Sequence, residues 1–215
     1  MSNSVEKKLI KYNYEEIKKS YKITEKRYKR LFDVLSKRQF DLKIVLENIH
    51  DPHNVSAILR SCDAVGVPKV SLLYYIESFP KKIGKKSSSS AGKWVETEKF
   101  KSVDECYQNL RENGFKIYAT DCSPDAVSLY SLNLTEKIAI VLGNEHRGVS
   151  EEAIRKADKR FYIPMFGMVQ SLNVSVASAV ILYEALRQRL QENKYINCQL
   201  TQEEFNILLE KWLKK

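Results

Sequence analysis

Residues 42–67 read LKIVLENIHDPHNVSAILRSCDAVGV, and this stretch decides the fold class. Leu42–Glu47 (LKIVLE) is a short apolar run of strand character. Asp51-Pro52 pairs a helix N-cap residue with the proline that suits a first helical position. The helix runs to about Val65, where Gly66 and Pro68 stop it. At about 100° per residue, Val55, Ile58, Leu59, Cys62 and Val65 fall on one side, so the helix has a face to bury. Val70–Tyr75 (VSLLYY) then reads as a second strand. Strand, turn, helix and strand in that order form the unit of a parallel sheet.

The same alternation continues outward. A helix near 102–113 leads into Phe115–Thr120 (FKIYAT), followed by Ile138–Leu142 (IAIVL), a helix from Ser150 and Arg160–Ile163 (RFYI). A long helix fills about 171–190. The expected fold is therefore α/β, a parallel sheet with helices on both faces. Residues 4–38 lack Gly and Pro and read as one or two helices, and Thr201–Lys215 as one more. Residues 80–92 (PKKIGKKSSSSAG) are basic, small and of low complexity, the pattern of a mobile loop. The domain boundaries fall at 1–40, 41–190 and 191–215.

Composition bounds the function. In 215 residues, 43% are hydrophobic and 29% charged, an ordinary globular balance. No apolar run approaches the roughly 18–20 residues of a membrane span, and the first 15 residues carry charges where a signal peptide is apolar. A cytoplasmic location is expected. The four cysteines form no CxxC pair, which excludes a zinc ribbon or thioredoxin motif and points to reduced thiols. The seven glycines include no GxGxxG; Gly143 and Gly148 have P-loop spacing, but Val149 stands where the phosphate-binding Lys is needed. The net charge of +9 is uneven: residues 1–40 hold twelve Lys and Arg against five acids, which leaves only +2 for the rest. Such asymmetry is an electrostatic footprint for a polyanion, although a solvated basic helix reads the same way. Tyr12, Tyr14, Tyr21 and Tyr28 in that segment can stack on bases or form its core stripe.

Three segments place polar residues at strand ends, where open α/β sheets build their sites. In the first, Arg60 lies opposite the apolar side of its helix, the place of a solvated arginine, while Asn54 at the stripe's edge suits a capping role. His50 and His53 have metal-pair spacing, but no Asp, Glu or Cys cluster converges on them, so no metal is expected. In the second, IAIVLGNEHRGVSEE (138–152), a buried strand ends at Gly143, where a bare backbone admits a ligand. Asn144, Glu145, His146 and Arg147 form a polar turn before Ser150, which caps the next helix. In the third, FYIPMFGMVQSLNVSVASAVILYE (161–184), Pro164 and Gly167 end a strand and Ser171-Leu172-Asn173 opens a helix rich in small residues.

Together these segments resemble one family. NVSAILRSCDAVGV, with Asn54 and Arg60, is similar to motif 1 of the SpoU/TrmH group of SPOUT RNA 2′-O-ribose methyltransferases. LGNEHRGVS resembles motif 2 and IPMFGMVQSLNVSVASAVILYEA motif 3, all in order over about residues 41–190. The resemblance implies an α/β sheet with a C-terminal trefoil knot, a topology that general folding rules would not suggest. It implies S-adenosylmethionine contacts at Thr120, Leu142, Gly143, Ile163, Met165 and Leu172. It assigns catalysis to Arg60, Asn54, Glu145, Ser171 and Asn173, without metal, in a homodimer whose active site lies at the subunit interface. An Arg60 aimed away from its own helix's core then faces a partner.

The short helical extensions, the run CDAVGV and the SSSSAGKWV stretch resemble members that methylate a D-loop guanosine ribose (position 18) in tRNA. Members acting on ribosomal RNA commonly carry a separate N-terminal α/β RNA-binding domain, for which 40 residues are too few. Methylation of ribosomal RNA and a non-catalytic RNA-binding module remain the alternatives on sequence grounds.

Overall fold

The buried parallel sheet expected from the apolar runs has seven strands among the described residues. The computed structural model describes residues 11, 13–80 and 91–215. In chain order the elements are α1 (Tyr14–Ser20), α2 (Glu25–Ser36), β1 (Leu42–Glu47), α3 (Pro52–Val65), β2 (Lys69–Leu73), α4 (Ala91–Trp94), β3 (Glu96–Phe100) and α5 (Val103–Glu112). There follow β4 (Lys116–Thr120), β5 (Val127–Ser128), β6 (Ile138–Leu142), α6 (Glu151–Lys156), β7 (Lys159–Tyr162), α7 (Val174–Gln191) and α8 (Gln202–Leu213). All strands pair in parallel in the order β3-β2-β1-β6-β4-β7-β5. The chain divides into two compact units, Phe40–Glu192 and the chain up to Gln39 together with Asn193–Lys215.

Within the larger unit the sheet is buried on both faces, as parallel sheets must be. Every residue of β1 and β6 is buried. One face packs against α3 and α7, including Ile44, Leu46, Ile58, Leu59, Ile140, Ile181 and Leu182; the other packs Val45, Ala119 and Val141 against Cys106, Tyr107 and Leu110 of α5 and Ala153 of α6. The apolar side expected for α3 is the buried one, with Val55, Ile58, Leu59 and Cys62 fully excluded from solvent. Each such side chain contributes roughly 1.5–3 kcal/mol by burial. Asp51 accepts from the His53 N–H at 2.8 Å, and Gly66 closes the helix at φ 87°.

The strands differ from expectation where charge replaces apolar pattern. The second strand ends at Leu73, because the Tyr75 N–H is taken by the Asn48 side chain rather than by a neighbouring strand. β3, with sequence ETEKF, has no apolar run to mark it; it is an edge strand, and edges favour charge. Its Glu98 accepts from Lys43 and Ser71, both at 2.7 Å. β5 has only two residues. The long helix starts at Val174, since Asn173 is its N-cap, accepting from the Ser175 N–H at 2.8 Å. Most of the expected loop at 80–92 lies outside the described residues, but Ala91–Trp94 forms a helical turn.

The smaller unit packs α2 against α8. Phe32 meets Phe205 edge-on at 5.0 Å between ring centres, and the Arg38 guanidinium lies over the Trp212 ring at 5.2 Å. Thr201 and Glu204 form a capping box at the start of α8. Tyr28 is buried, so its ring belongs to the core of this unit and is not free to stack on bases; Tyr14 contacts it and is half-buried. Tyr12 lies outside the described residues. All four cysteines are free, Cys62 and Cys106 buried.

Arg189 at the end of α7 is fully buried and joins the start of the sheet to the helix layer. It donates to the carbonyls of Leu134 (3.0 Å), Glu136 (2.8 Å) and Asp41 (3.3 Å) and pairs with the Asp41 carboxylate. Removing one member of such a network strands the others. Arg189→Met should lower unfolding free energy by about 3 kcal/mol in urea titration. A loss below about 1 kcal/mol would show that the network is structurally dispensable.

Candidate functional site

The parallel register brings the C-terminal ends of β1, β6, β4 and β7 side by side, and the site is built on that edge. Its foundation is Glu47, 1% exposed at the end of β1. A buried carboxylate requires donors, and Glu47 has three: the Ser150 N–H at 2.9 Å, the Ser150 hydroxyl at 2.6 Å and the Tyr75 hydroxyl at 2.5 Å. Burial and then the bond to Glu47 push the Tyr75 phenol up to about 12, which keeps it a donor at neutral pH. Asn48 follows in a left-handed conformation at φ 49°, and its side-chain oxygen accepts from the consecutive N–H groups of Tyr75, Ile76 and Glu77.

The loop after β6 is locked to this foundation. Asn144 donates to the Asn48 carbonyl at 2.6 Å and accepts from the N–H groups of His146 and Arg147. Its backbone exchanges two hydrogen bonds with Gly148, which sits at φ 70°. This closure explains Gly143. A Cβ there would lie 2.0 Å from the Gly148 carbonyl carbon, so the glycine is required by the loop's own folding. This reason stands beside the expected one, a bare backbone that admits a ligand, and Gly143 does line the cavity.

Glu145 reaches back over the first turn of α3. Its carboxylate accepts from the Asn54 side chain at 2.7 Å and from the N–H groups of His50 (2.9 Å) and Asp51 (3.3 Å). Burial opposes its ionisation, but the bonds from Asn54 and from these main-chain groups outweigh burial and hold it below the ordinary glutamate range. Asn54 also accepts from the Asn173 side chain at 3.1 Å. Its expected capping role is corrected, because Asp51 is the cap and the Asn54 amide links two loops instead.

A cavity of about 630 Å³ lies among the loops after β4, β6 and β7. Thr120, Leu142, Gly143, Ile163, Met165 and Leu172, the residues expected to hold a cofactor, all line it, as do Glu145, Ser171 and Asn173. Asn54 and Arg60 do not. Arg60 is exposed on α3 and makes no hydrogen bond or ion pair among the described residues. His50 faces Glu77 and His53 faces Asp51, and no group of three or more potential metal ligands exists among the described residues. Sequence reasoning passed over Glu47, Asn48 and Glu77. The one available signal was a carboxylate and an amide closing an otherwise largely apolar strand.

Known proteins are similar to this chain in sequence and fold. The model of the SpoU rRNA Methylase family matches residues 41–183. A Thermus thermophilus protein named tRNA (guanosine(18)-2′-O)-methyltransferase is 45% identical over 192 residues, 89% of this chain and 98% of its own length. An Escherichia coli protein of the same name is 41% identical over 172 residues, 79% and 73% of the two chains. The solved structure of an Aquifex aeolicus TrmH/SpoU tRNA modifying enzyme superimposes with a TM-score of 0.83 at 43% identity, over 88% of this chain and 96% of that one. A Streptomyces viridochromogenes SpoU methyltransferase, AviRb, solved with the cofactor AdoMet, gives 0.62 at 26% identity over 74% and 61%. With the loops of its second and third motifs around one cavity and both bonded to Asn54, the chain belongs to the SpoU methylase family.

Proposed function

We propose that the protein methylates the ribose 2′-oxygen of the D-loop guanosine at position 18 of tRNA, using S-adenosylmethionine. The carrying observation is that the loops of the second and third motifs line one cavity and are both tied to Asn54 of the first by the Glu145–Asn54–Asn173 chain of hydrogen bonds. The tRNA assignment draws on relatives of that name, 41–45% identical over most of the chain.

The cavity suits the cofactor. Its volume of about 630 Å³ falls within the usual range for small-molecule sites. Leu142, Ile163, Met165 and Leu172 offer apolar surface for a base, while the loop backbone at Gly143 and the Thr120 hydroxyl offer polar atoms. Thr120 donates to the Val141 carbonyl at 3.2 Å, which leaves its oxygen able to accept. When bound, S-adenosylmethionine supplies a methyl group on a sulfonium, already activated for transfer. The threaded knot of the family is part of this reading.

The chain's own residues then have to orient the hydroxyl and stabilise the charge that grows on its oxygen. A guanidinium is never neutral in proteins, so Arg60 acts as a cation, not as a base. Glu145 is a weak base as well, because its carboxyl titrates low and its oxygens accept three hydrogen bonds. The proton therefore leaves to the neighbouring phosphate or to solvent. Asn54, Ser171 and Asn173 order the loops and the ribose.

Arg60 lies outside its own chain's cavity, which supports a homodimer in which it serves the partner's site. The surface needed for one is exposed: Phe166 and Met168 are 99% exposed, and Val169, Val176 and Tyr183 about half or more. Apolar patches of this kind mark interfaces. RNA is gripped by the basic smaller unit, where Lys22, Lys26, Lys29 and Arg30 are exposed.

Three measurements test this reading. Arg60→Ala should cut methyl transfer to a tRNA transcript about 100-fold or more, with calorimetric cofactor affinity unchanged; near-normal turnover would overturn the role. Equal mixtures of Arg60→Ala and Glu145→Gln chains should recover about a quarter of wild-type activity if each site draws on both chains, and none if Arg60 acts within one chain. Replacing Lys22, Lys26, Lys29 and Arg30 by Gln should weaken tRNA binding and flatten its log-salt slope by about 2–3. An unchanged slope would reduce these charges to a solvated face.

A further inference from the structure

Among the described residues of the larger unit, Arg147 stands apart from the other lysines and arginines because it lines the cavity and is also anchored. Its guanidinium donates through Nη2 to Glu77 Oε1 at 2.7 Å, and the other Glu77 oxygen faces His50 Nδ1 at 3.4 Å. Both backbones are fixed as well. The Glu77 N–H is held by the Asn48 side chain at 3.2 Å and the Arg147 N–H by the Asn144 side chain at 3.3 Å, while Asn144 bonds the Asn48 carbonyl at 2.6 Å. Two buried amides thus aim one ion pair.

Stability does not account for this arrangement. The Arg147 side chain is 51% exposed, and a pair so open contributes at most about 1 kcal/mol. A guanidinium has five N–H donors, and Arg147 commits one of them among the described residues. The remaining donors point to an acceptor from outside the chain. A guanidinium fork selects an anionic acceptor, and its charge offsets the repulsion that ionised Glu145, two residues earlier, exerts on one. Half exposure at the rim suits a passing polymer better than an enclosed small molecule, and a planar fork suits phosphate.

We infer that Arg147, aimed by Glu77, holds an RNA phosphate beside the ribose that is methylated. Arg147 touches substrate; Glu77 is a positioning residue that acts through it. The inference rests on the methyltransferase reading, and the wild-type protein controls for it. Failure of wild type to methylate tRNA overturns that reading, whereas the Arg147 and Glu77 variants test the phosphate contact alone.

With a tRNA transcript and labelled S-adenosylmethionine, Arg147→Ala should raise the KM for tRNA about 10-fold while kcat changes less than about 3-fold. The log-salt slope of tRNA binding should shrink by about 1. Arg147→Lys should restore that slope but not the full KM, because it keeps the charge and loses the fork. Glu77→Gln should raise KM by a smaller factor, leave the slope, and add nothing on top of Arg147→Ala. Cofactor affinity by calorimetry and the melting temperature should stay at wild-type values. An Arg147→Ala enzyme with wild-type KM and slope would overturn the inference. So would one that loses cofactor affinity instead, since the guanidinium would then serve the cofactor's carboxylate.

Discussion

One amide joins everything at the candidate site. Asn54 donates to the Glu145 carboxylate and accepts from Asn173. The direction of that chain is not free to reverse. A carboxylate can only accept, so the Asn54 nitrogen must face Glu145 and its oxygen must face Asn173. Asn173 in turn must present its nitrogen to Asn54 and its oxygen to the Ser175 N–H, which caps α7. Three segments distant in sequence are thereby held in one polar order. An aspartate at position 54 could not replace the amide, because it would set a second carboxylate against Glu145 and lose the donor.

The foundation beneath that amide is equally constrained. Burying the Glu47 carboxylate is costly unless donors surround it. Ser150 and Tyr75 supply them from two different loops. Asn48 collects three consecutive N–H groups from the loop after β2, and Asn144 ties the loop after β6 to the Asn48 carbonyl. Loops at strand ends normally carry unsatisfied backbone groups into solvent. Here buried side chains satisfy them, so the cavity is lined by loops with fixed backbones. Preorganisation of this kind lets a site act on a transition state without first reordering itself.

Much of this was legible in sequence because apolar patterning reports burial directly. LKIVLE and IAIVL could only be buried strands, and Asp51-Pro52 and Gly66 marked both ends of α3. β3 was illegible for the same reason: ETEKF pairs by backbone at an edge and buries almost nothing. Motif resemblance found Thr120, Gly143, Ile163 and Leu172 around one cavity, while the reading of local pattern missed part of why two residues are there. Gly143 serves loop closure against Gly148, and Asn54 serves a link between loops rather than a cap. Both reasons lie in contacts across about 90 positions or within a tight turn, which no periodicity encodes. Glu47 and Asn48 were invisible because a polar residue at a strand end looks the same whether it is solvated or buried, and Glu77, in the loop beyond β2, reads as an ordinary loop carboxylate.

The two cations of motifs 1 and 2 show how environment divides labour between identical side chains. Arg147 is held by a fixed carboxylate at the rim of its own cavity, so its geometry is complete within one chain. Arg60 has no such hold among the described residues and faces away from the buried side of α3. A catalytic cation held by nothing would lose its orientation to side-chain entropy, roughly 2 kcal/mol for an arginine. On the proposed reading the partner's surface and the RNA supply what the single chain does not, and the active site becomes ordered only when both have arrived. An arginine left unrestrained in the isolated chain is then consistent with catalysis, because the order it needs is deferred to assembly.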